Sequence, residues 1–437
     1  MRACAVTRKI WMLAAGAAVF LAACQEKEVV LVGEREDLIP LGEVTSNESP
    51  AIRLPAQSQN ASWTHRIGTQ KYRTENAALS TRPNLIWSSG VGKGESRKNR
   101  ITADPIVADG RVFTVDAEAT VTATSTAGQL LWSRDLTPVH DKAGQASTGG
   151  LAYGDGKVFV TTGFGSLRAL DPATGADLWE QKFQAVGSGT PTVYDDLVYA
   201  VSGDATGWAI ETATGKVAWQ LVSIPTVQNV QSPAAPAVTD RLVIFPYGSG
   251  EIQGAFRRGG VSRWTVGLSD ARQGRAVNTV GDISGDPVVV GNTAYVANHS
   301  GRMASIDLET GTRNWTSEHG ALSPVFPAGG SLFLVSEINE LLRLDASDGT
   351  RIWSVTLPQF VKDKPRKQTE VHAHYGPILA GGQLVVASSD ERIRFYDPQS
   401  GALTYSIELP HGAATNPVVA GGVLYVVNRK GELYAFR

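Results

Sequence analysis

The sequence contains few of the residues and motifs on which disulfide-rich folds, nucleic-acid binding and most enzyme chemistry depend. Cysteine occurs twice in 437 residues, as Cys4 and Cys24, which excludes a disulfide framework. The 40 Lys and Arg nearly balance the 42 Asp and Glu, and with a net charge of −2 there is no basic stripe for a nucleic acid. No Walker-type phosphate loop, nucleophile elbow or His-Glu-x-x-His motif occurs. We therefore expect a protein that is not an enzyme and that holds neither a cofactor nor a metal.

Long apolar runs are scarce as well, and the run at the N-terminus is too short to span a bilayer. It extends from Ile10 to Phe20, follows a basic start and precedes the sequence LAAC, residues 21–24. This order predicts a lipoprotein signal peptide, residues 1–23, which is cleaved ahead of a lipidated Cys24. An ordinary signal peptide with a chance cysteine is the alternative.

The predicted lipid anchor sets the compartment and the domain division. Gln25 follows the cysteine where an Asp could stand, which resembles lipoproteins sorted to the outer membrane, so we expect the protein on its periplasmic face. Residues 24–62 are charged, contain proline and lack a pattern, which predicts a lipidated tether. Residues 63–437 are expected to form one domain. Because Cys4 leaves with the signal peptide, the mature chain can form no internal disulfide.

Two phrases repeat along the rest of the chain. The longer has seven copies of fifteen residues, each with Gly four positions before a final aromatic residue, as in GSLRALDPATGADLW at 165–179. An eighth copy, GELYAFR at 431–437, stops at its seventh position, and RPNLIW at 82–87 supplies the missing end. Ahead of each copy stand two apolar or β-branched runs joined by a Gly, Asp or Asn pair, as in PVVAGGVLYVV from Pro417. The final aromatic residues are Trp87, Trp132, Trp179, Trp219, Trp264, Trp315, Trp353 and Tyr405.

These phrases predict four antiparallel strands in each of eight units. Apolar residues alternate on both sides of the Asp-x-x-Thr-Gly turn, where Asp171 can bond turn amides and Gly175 can adopt a positive φ. Four strands at intervals of about forty-five residues are typical of an all-β, eight-bladed β-propeller. An open stack would expose an apolar face at each end, so we expect the strand around Leu85 to pair with the C-terminal blade and close the ring. An open β-solenoid is the alternative.

Chemically reactive side chains do not converge on an evident site. The turn Asp and Gly residues recur in most units and the tryptophans end most phrases, so we interpret both as architecture, with the tryptophans packed between blades. His372 and His374, in the sequence HAH, would place two imidazoles on one face of a strand as half of a metal site. No third ligand is evident, and a solvated loop before Pro377 explains the two histidines equally well.

The repeated phrase is similar to that of quinoprotein dehydrogenase propellers. In combination with a lipobox and eight units it resembles the BamB family of outer-membrane β-barrel assembly lipoproteins, over roughly residues 83–437. This resemblance implies a scaffold, monomeric within a complex, that binds the periplasmic POTRA domains of a BamA-like protein and assists unfolded outer-membrane protein clients. The loop GDISGDPVVV, residues 281–290, resembles the acidic inter-blade loop of that family. Asp282 then carries over as a partner contact, whereas Ser284 departs from the second acidic position.

A second loop, between Trp219 and Pro236, lies where the family has two apolar residues and an arginine. By that resemblance Val230 and Gln231 bind the partner, and either the contact is altered or Arg275, or Arg272, of the adjacent loop supplies the missing charge. The alternative for both loops is that they are variable linkers. Both loops lead into neighbouring blades and should emerge on one rim of the ring. Two alternatives stay open: a periplasmic dehydrogenase with pyrroloquinoline quinone and calcium on the ring axis, and a cell-envelope binding propeller unrelated to barrel assembly. The chain lacks the vicinal cysteine pair and the long insertions of the dehydrogenases.

Overall fold

The computed structural model describes residues 46–70, 73–185, 189–225, 234–268, 281–362 and 364–437. Its compact unit, Asn47–Arg437, contains 32 strands in eight four-stranded antiparallel sheets, arranged as blades in a ring. Within those ranges the helical structure is one 3₁₀ turn, Pro365–Lys367, and no helix there has the length and apolar character of a membrane span. The eight-bladed β-propeller predicted from the repeats is confirmed.

In each blade the strands follow one another outward from the ring axis. The inner strands are buried and the fourth is largely exposed. Strand β1 (Leu85–Gly90) belongs to blade 8, at the other end of the chain. The strands of blades 1 to 4 are β2 (Ile106–Ala108), β3 (Arg111–Val115), β4 (Thr120–Ser125) and β5 (Leu130–Asp135); β6 (Thr148–Gly154), β7 (Lys157–Thr162), β8 (Ser166–Leu170) and β9 (Asp177–Lys182); β10 (Thr192–Tyr194), β11 (Leu197–Val201), β12 (Thr206–Glu211) and β13 (Val217–Val222); and β14 (Ala237–Val238), β15 (Leu242–Pro246), β16 (Glu251–Phe256) and β17 (Ser262–Gly267).

Blades 5 to 8 repeat this order, except that the fourth strand of blade 8 is β1. Their other strands are β18 (Ile283–Val290), β19 (Thr293–Asn298), β20 (Met303–Asp307) and β21 (Arg313–Ser317); β22 (Phe326–Ala328), β23 (Ser331–Val335), β24 (Glu340–Asp345) and β25 (Arg351–Thr356); β26 (His374–Ala380), β27 (Gln383–Ser388), β28 (Arg392–Tyr396) and β29 (Leu403–Glu408); and β30 (Val418–Ala420), β31 (Val423–Val427) and β32 (Glu432–Phe436).

Strand β1 closes the ring by pairing with β32, and we call this pairing the seam. The two strands are antiparallel, with Trp87 opposite Ala435. The pairing continues past the strand ends, because Asn84 and Arg437 exchange amide-to-carbonyl hydrogen bonds of 2.8 and 2.9 Å. The ring is therefore closed by hydrogen bonds between distant parts of the chain, and the closure predicted for the strand around Leu85 is confirmed.

The repeated tryptophans join each blade to the next. Trp132 in β5 lies on Gly175, in the turn between β8 and β9, so closely that a Cβ there would be 2.6 Å from the indole. Its Nε1 donates to Pro172 O at 3.0 Å. The same two contacts recur at six further junctions, where the pairs are Trp87–Gly128, Trp179–Gly215, Trp219–Gly260, Trp264–Gly311, Trp315–Gly349 and Trp353–Gly401. The eighth junction has Tyr405, which lies 5.8 Å from Arg82, because β32 and β1 are not joined by such a turn.

Residues 47–62, which the sequence assigns to the tether, belong to the compact unit. Asn47 forms two side-chain hydrogen bonds with the backbone of Ser354 in β25, and Glu48 N donates to Ile352 O at 3.0 Å. The segment therefore runs antiparallel to β25 along the edge of blade 6. The signal peptide 1–23, Cys24 and the tether up to residue 45 lie outside the described residues and stay predictions.

Candidate functional site: the plugged axis and the inter-blade rim

A segment without sequence periodicity, residues 58–70 and 73–79, lies across the inner strands of the ring, and we call it the plug. Trp63 exchanges two backbone hydrogen bonds with Val107 of blade 1, at 2.8 and 2.7 Å. Ala77 N donates to Leu379 O of blade 7, and Asn60 O accepts from Gly421 N of blade 8. Because extended backbone needs partners for its amides, the first strands of blades 1 and 7 and the first turn of blade 8 hold the plug by main-chain bonds.

The plug turns back on itself at His65, where Gly68 N donates to His65 O at 2.8 Å. The imidazole is buried, its Nε2 accepts from Val193 N of blade 3 at 3.0 Å, and its Nδ1 lies 2.9 Å from Thr64 Oγ1. Burial lowers the pKa of His65 from 6.5 to about 3. A neutral imidazole with its proton on Nδ1 satisfies both contacts, so the turn is held without an added charge.

Arg66 follows in this turn and spans the ring axis. Its Nε lies 3.2 Å from Asp104 Oδ2, at the start of blade 1, and its Nη1 lies 3.3 Å from Asp286 Oδ1, in the first strand of blade 5. Blades 1 and 5 stand opposite each other in a ring of eight. Burial alone would lower the pKa of Arg66, but the two carboxylates raise it, so the guanidinium remains charged.

A second buried arginine, Arg73, binds a different part of the inner wall. Its Nη1 donates to Pro324 O at 2.5 Å and to Val325 O at 3.3 Å, and its guanidinium lies 4.8 Å from the ring centre of Phe326. Burial lowers the pKa of Arg73 to about 9, although the negative charges of Asp286 and Asp104 act to raise it.

The acidic end of this network is also fixed by the ring. Asn416, ahead of blade 8, donates to both oxygens of Asp104, at 2.7 Å from N and 2.8 Å from Nδ2, and its Oδ1 accepts from Gly376 N and Ser323 Oγ. Asp286 Oδ1 also accepts from Ala235 N at 2.8 Å. The plug and the starts of the inner strands thus form one network of buried charges and amides, which fills the axis on this side of the ring.

The two histidines of the HAH sequence have structural partners. His374 Nε2 donates to Pro358 O at 2.8 Å and Nδ1 lies 2.7 Å from Ser388 Oγ, while His372 Nδ1 lies 3.4 Å from Ser389 Oγ. Burial lowers the pKa of His374, which keeps it neutral and suits these two bonds. Among the described residues no three His, Cys, Asp or Glu side chains form a group that could hold a metal ion.

The structure describes one of the four predicted partner-binding residues. Asp282 is 4% exposed, and its Oδ1 lies 2.7 Å from His299 Nδ1. The neighbouring Ser284 donates to Ala321 O at 2.8 Å and is also buried. The carboxylate expected on the rim therefore points into blade 5. Val230, Gln231 and Arg275, like Arg272, lie outside the described residues and stay predictions.

Sequence reasoning missed two exposed apolar residues at the start of one predicted loop. Val222 ends β13 and is 71% exposed, and Ile224 is 69% exposed. Between them Ser223 Oγ donates to Glu251 of blade 4, which fixes this part of the rim. The alternation in β13 contained the signal, because Trp219 and Leu221 face inward and Val222 must then face outward.

These features define a class of protein: an eight-bladed propeller of quinoprotein-type repeats whose axis is occupied by its own N-terminal segment. A family model described as outer membrane protein assembly factor BamB matches residues 117–355 and 361–437, and the chain belongs to that family.

Known relatives agree with this assignment, and solved structures share the fold. Outer membrane protein assembly factor BamB of Shewanella oneidensis is 24% identical over 361 residues, which cover 80% of this chain and 88% of the relative. The crystal structure of BamB from Moraxella catarrhalis matches with a TM-score of 0.65 at 19% identity, over 81% of this chain and 99% of that one. Quinohemoprotein alcohol dehydrogenase from Comamonas testosteroni matches with a TM-score of 0.64 at 15% identity, over 87% of this chain and 81% of that one. Likeness to solved structures at such identities shows a shared fold only.

Proposed function

We propose that the protein is a lipid-anchored, non-enzymatic scaffold of the outer-membrane β-barrel assembly machinery. It resides on the periplasmic face of the outer membrane, binds the POTRA domains of a BamA-like protein as a monomer within the complex, and assists the insertion of outer-membrane proteins. Membership of the BamB family over residues 117–355 and 361–437 carries this proposal.

The occupied axis supports a scaffold over a dehydrogenase. A quinone on the ring axis needs a central cavity with polar groups turned toward the ligand. Here Arg66 takes up that position, and its contacts with Asp104 and Asp286 use the acidic groups of the inner wall. These contacts hold the plug at the position that a quinone on the ring axis would need.

The rim formed by the connections between blades has features that suit contact with a protein partner. The loops 223–236 and 268–282 both follow a fourth strand and precede a first strand, so they begin and end on the same rim. Exposed Val222 and Ile224 give this rim an apolar element, which suits a modest and reversible protein contact. The predicted partner residues Val230, Gln231 and Arg275 belong to these two loops.

Substituting Val222 by aspartate tests the rim contact. Val222 is 71% exposed, so Val222→Asp should leave the melting temperature unchanged while it weakens co-purification with the BamA-like protein by about tenfold. Val261→Asp is the matched control, because Val261 is 64% exposed in the turn between β16 and β17, on the opposite rim. Equal co-purification of the two variants would contradict the proposed rim contact. Asp282→Arg is a poorer test, since it would replace a buried carboxylate beside His299 by a cation and disturb blade 5 itself.

Quinone binding separates the scaffold from the dehydrogenase. After addition of pyrroloquinoline quinone and calcium, the purified protein should show no quinone absorbance and no dye-linked dehydrogenase activity. Saturable quinone binding with turnover of an alcohol or sugar would favour the enzyme. An intact lipoprotein that co-purifies with no barrel-assembly component would favour a cell-envelope propeller of another kind.

A further inference from the structure

The connection between blades 6 and 7 differs from the other connections between consecutive blades. It runs from 357 to 373 and is the longest of the seven. Phe360 and Val371 form an antiparallel bridge, Val361 N donates to Glu370 O at 3.0 Å, and the 3₁₀ turn Pro365–Lys367 lies at the far end. We call residues 358–362 and 364–373 the finger.

The base of the finger is fixed to both blades. Gln359 Nε2 donates to Ile338 O at 3.3 Å and Asn339 Nδ2 donates to His372 O at 2.9 Å, which ties it to blade 6. Ala373 and Ser389 exchange two hydrogen bonds of 2.9 Å, which tie it to blade 7. The finger is therefore a protruding element held in position by the ring.

The outer part of the finger is basic and its stem is apolar. Lys362, Lys364, Arg366 and Lys367 are exposed, and none of them forms an ion pair with a described residue. The same stretch of sequence contains two acidic residues, Asp363 and Glu370, so the basic charge is in excess. Val361 and Val371 in the stem are 45% and 64% exposed. Cations beside exposed apolar side chains are the combination that anionic lipid surfaces attract.

The path of the N-terminal segment points to the same rim. Glu48 bonds Ile352 and Asn47 bonds Ser354, so the compact unit begins beside the last residues of β25, next to the start of the finger. Cys24 precedes Asn47 by 23 residues, a length that reaches at most about 80 Å when fully extended. If Cys24 carries a lipid, as the proposed function requires, the membrane and the finger lie within reach of each other.

We propose that the finger binds the anionic phospholipid surface of the membrane to which the lipidated cysteine anchors the chain. Lys362, Lys364, Arg366 and Lys367 contact the headgroups, and the exposed valines approach the boundary of the acyl chains. Each cation near such a surface raises the ratio of bound to free protein by roughly fivefold. This contact restricts how the ring is oriented above the membrane, which a lipid on a tether alone does not do.

The test uses the full chain with Cys24→Ser, so that an acyl anchor does not mask the contact. Sedimentation with vesicles of phosphatidylethanolamine containing about a quarter phosphatidylglycerol should show binding at low salt that is lost at about 0.5 M salt. Vesicles without phosphatidylglycerol should bind poorly. Lys367→Glu should lower the bound-to-free ratio by about tenfold or more, since it changes the charge by two units.

Lys216→Glu is the matched control, because Lys216 is exposed in the turn between β12 and β13 and the substitution changes the net charge equally. Lys216→Glu should bind the anionic vesicles as strongly as the Cys24→Ser parent protein does. The proposal is overturned if the parent does not bind anionic vesicles at low salt, if both variants lose binding equally, or if Lys367→Glu binds like the parent. The vesicles contain no BamA-like protein, so a failure to bind them would not bear on the proposed rim contact. That contact is tested separately with Val222→Asp.

Discussion

Replacing Gly175 by alanine tests whether the tryptophan of one blade and the turn glycine of the next form a close-packed pair. Gly175 has φ +72, and an added Cβ would lie 2.6 Å from Cε3 of Trp132. Gly110 is a matched control, because it has the same φ of +72 but an added Cβ there meets nothing within 4 Å. Both substitutions carry the cost of a left-handed alanine, and only Gly175→Ala adds the overlap with the indole.

The two costs differ in a way that can be measured. A left-handed alanine costs about 1 kcal/mol, which is the whole effect expected for Gly110→Ala. At Gly175 the indole must also move, overpacking of this kind costs about 1–3 kcal/mol, and we expect a total loss of about 2–4 kcal/mol. The hydrogen bond from Trp132 Nε1 to Pro172 O, 3.0 Å long, should lengthen or break.

Urea unfolding followed by far-ultraviolet circular dichroism measures this difference as a shift in midpoint at unchanged slope. For a unit that runs from Asn47 to Arg437, a change of about 2 kcal/mol moves Tm by only about 2–3 °C, so chemical unfolding is the more sensitive method. Introducing Gly175→Ala into a Trp132→Leu background should remove most of the excess loss, because the overlapping ring is absent. Equal losses for Gly175→Ala and Gly110→Ala would refute the close-packing explanation.

Three further predictions concern the plug, the seam and the anchor. The pKa of His65 falls from 6.5 unfolded to about 3 folded, so unfolding should cost less free energy as pH drops from about 6.5 toward 3, by up to about 1.4 kcal/mol per pH unit. His65→Gln, whose side-chain oxygen can still accept from Val193 N, should show a shallower dependence in urea titrations; an identical slope would contradict this. Deleting residues 80–90 should destabilise the ring by several kcal/mol or cause aggregation, whereas an unchanged Tm would speak against the seam. Cys24→Ser should release the protein into the soluble periplasmic fraction, unless its protein partners retain it; continued membrane fractionation in cells without those partners would exclude Cys24 as the anchor.

The blades could be predicted from the sequence because their determinants are local and repeated. The Asp and Gly found in most turns act within a few residues of each other: Asp171 Oδ1 accepts from the amides of Ala173 and Thr174. The packing of each indole against the turn of the next blade then follows from the repeat, because the two blades at such a junction contain the same repeated sequence. The pairing at the seam could also be predicted, because the sequence around Trp87 supplies the missing end of the last repeat.

The axial site could not be predicted in this way, because its determinants are distant and occur once. Arg66 binds the carboxylates of Asp104 and Asp286, which lie 38 and 220 residues further along the chain. The sequence repeat does not relate these three positions. Asp282 was expected on the rim because the loop at residues 281–290 resembles the acidic inter-blade loop of the family. The loop enters an inner strand at that point, and His299, from the turn between β19 and β20, covers the carboxylate.

The order of the N-terminal contacts along the chain determines how the ring bears mechanical load. A pull on the chain upstream of Asn47 acts first on its pairing with β25, next on the plug, and only then on β1. The seam at β1 is held by hydrogen bonds to β32 and by no turn between the two strands. The pairing with β25 and the plug therefore bear a force applied at the N-terminal end of the compact unit before that force reaches the seam.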